Sequence, residues 1–259
     1  MADAGNDSNG TDHVLPDRAA KPSALAPWIP FSQKVVAEML ATYFLIFAGC
    51  GSIVVNLSRE KVVTLPGIAI TWGLAVMVMV YSVGHVSGAH FNPAVTIAFA
   101  TCKRHPWKQV PAYMAAQVVG ATLAAGTLRL LFEGKEDHFI GTTPSGSDLQ
   151  AFVIEFIITF YLMFVVCAVA TDSRAIGELA GLAIGAAVVS VMLAVPESGG
   201  SMNPARSLGP AIVSGRYECL WIYLLAPTLG AIGGAWAYNI IRFTDKPSCP
   251  ILAFPEERV

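Results

Sequence analysis

Charged residues are missing from long stretches of this chain. Residues 39–58, 62–84, 110–128, 180–196 and 219–241 contain no Asp, Glu, Lys or Arg, and 149–171 is interrupted only by Glu155. A helix needs ~20 apolar residues to cross ~30 Å of hydrocarbon, and all six runs are near that length. With no water in the hydrocarbon, every N–H and C=O must be paired within its own segment. The pattern therefore predicts six membrane-spanning helices in an all-α membrane protein, with the lipid bilayer as its solvent.

Composition agrees. Of 259 residues, 54% are hydrophobic and only 13% charged, about half the ~25% of a soluble domain. A net charge of −2 from 16 basic and 18 acidic residues leaves no basic footprint for nucleic acid, so none is expected as a partner. Five cysteines lie far apart without a C-x-x-C pair, which supports neither a disulfide framework nor a zinc site. No nucleophile–base pair or cofactor loop is visible, so neither an enzyme, a metal site nor a cofactor is expected.

The two ends differ from the middle. Residues 1–33 are polar, Pro- and Gly-containing and without helical period, and 243–259 form a short polar tail; both are expected to be disordered and cytoplasmic, flanking a membrane domain over 34–242. The start lacks the basic, apolar and small-residue succession of a signal peptide. With the amino terminus inside, ten Lys and Arg fall in the inner segments and five in the outer ones, Arg206 set aside. That bias predicts both termini in the cytoplasm.

The chain also repeats itself. Ala37-Glu38-Met39-Leu40 and Tyr43 to Phe47 are echoed by Ile154-Glu155-Phe156-Ile157 and Tyr161 to Phe164, and Tyr113 with Gly120 by Tyr223 with Gly230. Each half carries the tripeptide Asn-Pro-Ala, at Asn92-Pro93-Ala94 and Asn203-Pro204-Ala205. Three spans per half is an odd number, so the second copy enters the membrane from the opposite face, and inverted repeats place a working site near the midplane. The apolar runs after each tripeptide are too short to span but suit half-helices that dip in and return. Proline fits the first turn and Asn is a good cap. Two such starts aimed at the centre from opposite faces would give one line of amide donors and one concentrated positive field. Capping alone is the plainer role for both asparagines.

At these residues the chain resembles the aquaporin (major intrinsic protein) family: residues 87–96 and 198–207 are similar to its two signature loops, 111 residues apart, the second followed by Arg206. The resemblance covers about residues 34–242 and, through residues 83–90 and 143–152, is strongest to the plant nodulin-26-like intrinsic proteins (NIPs). It implies six helices plus two re-entrant half-helices, a passive pore in each chain, and a homotetramer in the plasma membrane or an endomembrane. It also implies a constriction at Trp72, Val191, Gly200 and Arg206. Strict water pores of the family offer Phe, His and a small residue beside the Arg. Here Trp72 and Val191 make a wider, more apolar opening, with polarity left to Arg206, the Gly200 backbone and the indole N–H. That suits a small polyol, carbons on Trp72 and Val191 and hydroxyls on Arg206, so glycerol and water are the expected solutes; metalloid hydroxides and ammonia fit by size. Gly200 departs from the Ala common in this subgroup. A snorkelling Arg206 and an interface-belt Trp72 are the structural alternatives.

Glu38 and Glu155 sit at matching places in spans one and four. They serve either as acceptors for the backbone of the re-entrant loops or as the proton relay of an inverted-repeat secondary transporter, the alternative to a channel. His85 and His90 flank the first loop without carboxylate or Cys at ligand spacing. Glu197 reads as a solvated rim charge, and Asn56-Leu57-Ser58 is a glycosylation sequon close to the membrane.

Overall fold

The computed structural model describes residues 29–132 and 139–242. Eight α-helices follow in order: α1 (Ile29–Ser58), α2 (Thr64–Ser87), α3 (Pro93–Thr101), α4 (Val110–Leu131), α5 (Asp148–Thr171), α6 (Ala180–Ala194), α7 (Pro204–Ser214) and α8 (Leu220–Ile241), with no strand among the described residues. Six are long and apolar enough to cross a membrane, α6 together with the 3₁₀ turn Gly177–Leu179 that leads into it. The other two, α3 and α7, have 9 and 11 residues and at 1.5 Å per residue reach only half-way.

Helix α1 starts at Ile29, so residues 29–33 are helical where a polar tail without helical period was expected. Pro30 stands in the first turn, where its missing N–H breaks no intrahelical bond, and so it does not hold the helix back. Residues 1–28 and the expected tail over 243–259 lie outside the described residues.

Within each half the helices approach backbone to backbone. A Cβ on Gly120 of α4 would strike the carbonyl oxygen of Met39 on α1, and one on Gly230 of α8 would strike that of Phe156 on α5; small residues permit this close packing in lipid. The halves join where α2 crosses α6: a Cβ on Gly73 would fall 2.5 Å from the Gly185 oxygen, and one on Gly185 2.6 Å from the Gly73 oxygen. The half-helices cross over, α3 packing on α8 and α7 on α4. Large apolar side chains such as Leu40, Phe44, Ile70, Leu74, Leu225 and Leu229 face outward. On a soluble surface they would be a liability, but hydrocarbon is a good solvent for them.

Candidate functional site: a lumen between two asparagine caps

Each re-entrant loop is folded by unusual backbone. Ala89 and Phe91 in the first loop have φ of 54° and 52°, and Gly200 and Met202 in the second have 57° and 54°. Non-glycine residues in this left-handed region cost roughly 1–3 kcal/mol each, so something must hold them. Two fully buried carboxylates do. Glu38 accepts the N–H of His90 (3.0 Å) and of Phe91 (2.8 Å), the Ser87 hydroxyl (2.6 Å) and the Gln117 amide (2.8 Å). Glu155 accepts the N–H of Ser201 (2.7 Å) and of Met202 (2.8 Å) and the Ser198 hydroxyl (2.9 Å). Tyr113 and Tyr223 donate their hydroxyls to the Ser87 and Ser198 carbonyls at 2.8 and 2.7 Å.

The asparagines cap and reach across at once. Asn92 Oδ1 accepts the Ala94 N–H at 2.9 Å while its Nδ2 donates to the Met202 carbonyl at 2.7 Å. Asn203 Oδ1 accepts the Ala205 N–H at 2.9 Å while its Nδ2 donates to the Phe91 carbonyl at 2.8 Å. Each loop thus supplies the acceptor that orients the other's amide. An amide nitrogen carries two hydrogens, so one on each Asn is left over. Pro93 and Pro204 take the first helical position, where a missing N–H breaks no bond, and Ala94 and Ala205 are fully buried beside them.

Asn92 and Asn203 share the wall of a cavity of about 70 Å³, several times what one water needs. The rest of that wall is largely apolar, from Leu45, Val76, Val80, Leu162, Ile184 and Val188, and it includes Trp72 and His90. Arg206, 2% exposed, lays its guanidinium 5.0 Å from the centre of the Trp72 ring and donates Nη1 to the Ile140 carbonyl at 3.2 Å. The same carbonyl takes the Cys50 thiol at 3.6 Å. Arg206 Nε and Trp72 Nε1 are buried with no hydrogen-bond partner. Gly200 lies near Met192, a Cβ there falling 3.4 Å from Met192 Cγ. Val191, the residue before Met192, is half-buried on α6, three positions on from Val188 and seven from Ile184, and so on the same helix face as these two wall residues.

Of the residues singled out in the sequence, Asn92 meets the second loop and Asn203 the first, Arg206 stacks on Trp72, and Gly200 lies near Met192, the residue that follows Val191. Glu38 and Glu155 sit behind the two loops. His90 Nδ1 bonds the Thr96 hydroxyl at 3.0 Å, and His85 is exposed. His105, whose ring lies 4.8 Å from that of His90, is pushed down to about 4 by burial and then by Lys34, so it is uncharged at neutral pH. Among the described residues no group of three or more His, Cys, Asp or Glu could hold a metal. Glu197 is exposed, its carbonyl taken by the Ser145 N–H and hydroxyl at 3.0 and 2.8 Å. Asn56 Oδ1 accepts the Thr64 N–H at 2.8 Å, at the start of α2. Sequence reasoning missed the Ile140 carbonyl and the roles of Gln117 and the two tyrosines. The matched Tyr113 and Tyr223 were signal enough for the last.

The sequence profile described as "Major intrinsic protein" matches residues 27–238. Similar curated proteins include "Aquaporin NIP1-1" of Oryza sativa subsp. japonica, 67% identical over 224 residues that cover 86% of this chain and 79% of that one. "Nodulin-26" of Glycine max is 64% identical over 220 residues, covering 85% and 81%. Among solved structures, the "aquaglyceroporin from Plasmodium falciparum" superposes with a TM-score of 0.76 at 25% identity, over 81% of this chain and 96% of that one. With its two Asn-Pro-Ala loops meeting on a single lumen, this chain belongs to the major intrinsic protein family, within its NIP branch.

Proposed function

We propose that the protein is a passive membrane channel for water and small uncharged solutes of the glycerol type, closed to protons and other ions. The observation that carries this reading is the reciprocal asparagine pair on a narrow apolar lumen whose wall includes Trp72, the ring on which Arg206 is stacked. A water accepting from both free amide hydrogens has its own hydrogens turned away from the centre, which interrupts the chain a proton would follow. The two half-helix starts add roughly half a positive charge each before screening, and Arg206 adds a full one, so cations meet a barrier of position rather than of size. A polyol passes Trp72 and Val191 on its carbons and satisfies Arg206 Nε and the indole N–H with its hydroxyls. In this reading Gly200 adds width, and Asn92, Asn203, Trp72, Val191, Gly200 and Arg206 together set selectivity.

Glu38 and Glu155 act as loop supports, since each already accepts three or more hydrogen bonds from its loop and neighbours. A carrier's proton relay needs carboxylates free to change partners. The name of the structural neighbour and the apolar constriction both favour glycerol; boric acid, arsenite-type hydroxides and ammonia share its size and neutrality. The working unit is a channel domain over about 34–242, assembled as a homotetramer, with both termini on the cytoplasmic side of the plasma membrane or an endomembrane. The test is stopped-flow light scattering on reconstituted vesicles. Glycerol flux that does not saturate and has a low activation energy is the expected result; vesicles swelling in glycerol no faster than empty ones would overturn it.

A further inference from the structure

Helix α1 presents Glu38, Thr42, Leu45 and Gly49 at spacings of four, three and four residues, which is one face of an α-helix over roughly 16 Å of its axis. Glu38 grips the first loop, Leu45 lines the lumen, and at Gly49 the stripe meets Trp72. A Cβ built on Gly49 would fall 2.5 Å from the indole Cε3 and closer still to Cε2 and Cδ2, so the indole occupies the volume a side chain would take. Glycine is a poor residue for a helix interior, and here it stands inside a helix of 30 residues.

The second half shows what the stripe looks like without this feature. On α5 the matching residues are Glu155, Thr159 and Leu162, identical in type, and Thr42 and Thr159 each donate to the carbonyl of their Glu at 2.6 Å. The next member is Val166, which lines the lumen itself. The helices that cross at Gly73 and Gly185 carry Trp72 and Ile184 immediately before those glycines. One half therefore has Gly49 against Trp72, where the other has Val166 and Ile184 at the matching positions, both lining the lumen. Only the Gly–Trp end carries the arginine, stacked on the indole.

We propose that Gly49 is the positioning residue of the constriction: its absent side chain seats the Trp72 indole against α1 and thereby sets the gap beside Arg206 through which a carbon-bearing solute passes. This inference rests on the channel reading above. An indole displaced by an added methyl moves off α1 and, in the constriction it shares with Arg206, narrows the gap for glycerol more than for water. One methyl in a fitted pocket shifts discrimination by about tenfold or more, and that is the drop expected in the glycerol-to-water permeability ratio of Gly49→Ala in vesicles. In a Trp72→Leu background the same substitution should leave the ratio unchanged, because the ring it displaces is gone. A ratio unmoved or raised in the single variant, or an equal drop in both backgrounds, overturns the proposal. If Gly49→Ala does not accumulate as folded protein, recovery by adding Trp72→Leu supports the seat, and failure of the double variant also overturns it. Absence of glycerol flux in the unaltered protein would count instead against the channel itself.

Discussion

The loop before α3 and the loop before α7 share one set of supporting bonds, yet the residues around and just beyond them have diverged. In both, a buried Glu takes two consecutive backbone N–H groups and a serine hydroxyl, a tyrosine holds that serine's carbonyl, and an asparagine caps one half-helix while reaching to the other. After the alanine, however, the first half has Val95, which lines the lumen, and the second has Arg206, which leans on Trp72. Behind the loops the first half uses His90, Thr96 and Gln117, whereas the second links Ser201, Ser207 and Thr142 through contacts of 2.6 Å. Duplication supplies the scaffold, and in the proposed reading a few unmatched side chains supply the discrimination.

The comparison breaks most visibly at the carboxylates. Glu38→Gln would turn an amide donor toward backbone N–H groups that need an acceptor. With hydrogen bonds to a charged group contributing about 1.5–3 kcal/mol each, a loss of at least 3 kcal/mol and little folded protein are expected. Glu155→Gln should be somewhat milder, lacking the Gln117 partner; yield and thermal unfolding in detergent measure both. Next, Arg206→Val makes the second half like the first. Proton and cation leak, read with a pH-sensitive dye in vesicles, should rise about tenfold or more once that fixed charge is gone, while glycerol flux is retained. Smaller is Val191→His with Gly200→Cys, expected to cut glycerol permeability about tenfold and water less; equal losses would argue against these two as constriction members. Smallest is Tyr113→Phe against Tyr223→Phe. Each removes one hydrogen bond of near-equal length, so each should cost about 1 kcal/mol, and a clear inequality would mean the two loops are not equally supported.

The spans and half-helices were legible because lipid forces long uncharged runs and short ones alike to declare their length. Asn92, Asn203 and Arg206 stood out as polar groups where polarity is costly. What the residues could not announce are partners that are backbone: the Phe91 and Met202 carbonyls that orient the amides, and the Ile140 carbonyl under Arg206, are acceptors any residue type provides. Nor does a glycine in an apolar run disclose that its side-chain volume is taken by a ring 23 positions later, as that of Gly49 is by Trp72. The start of α1 at Ile29 was not legible because the polar, aperiodic composition of the residues before it runs on to the helix without a marked boundary.

The crossed bonds between the two asparagines and the opposite loops have a consequence for biosynthesis. As the chain leaves the ribosome, Asn92 is made 110 residues before the Met202 carbonyl that orients it, and α3 precedes α8, its packing partner. Until the second half is made, the Asn92 amide lacks the acceptor that orients it and α3 lacks α8. A nascent chain stalled after α4 would hold Asn92 without the Met202 carbonyl and Trp72 without Arg206, and so would lack both contacts by which the halves complete the site.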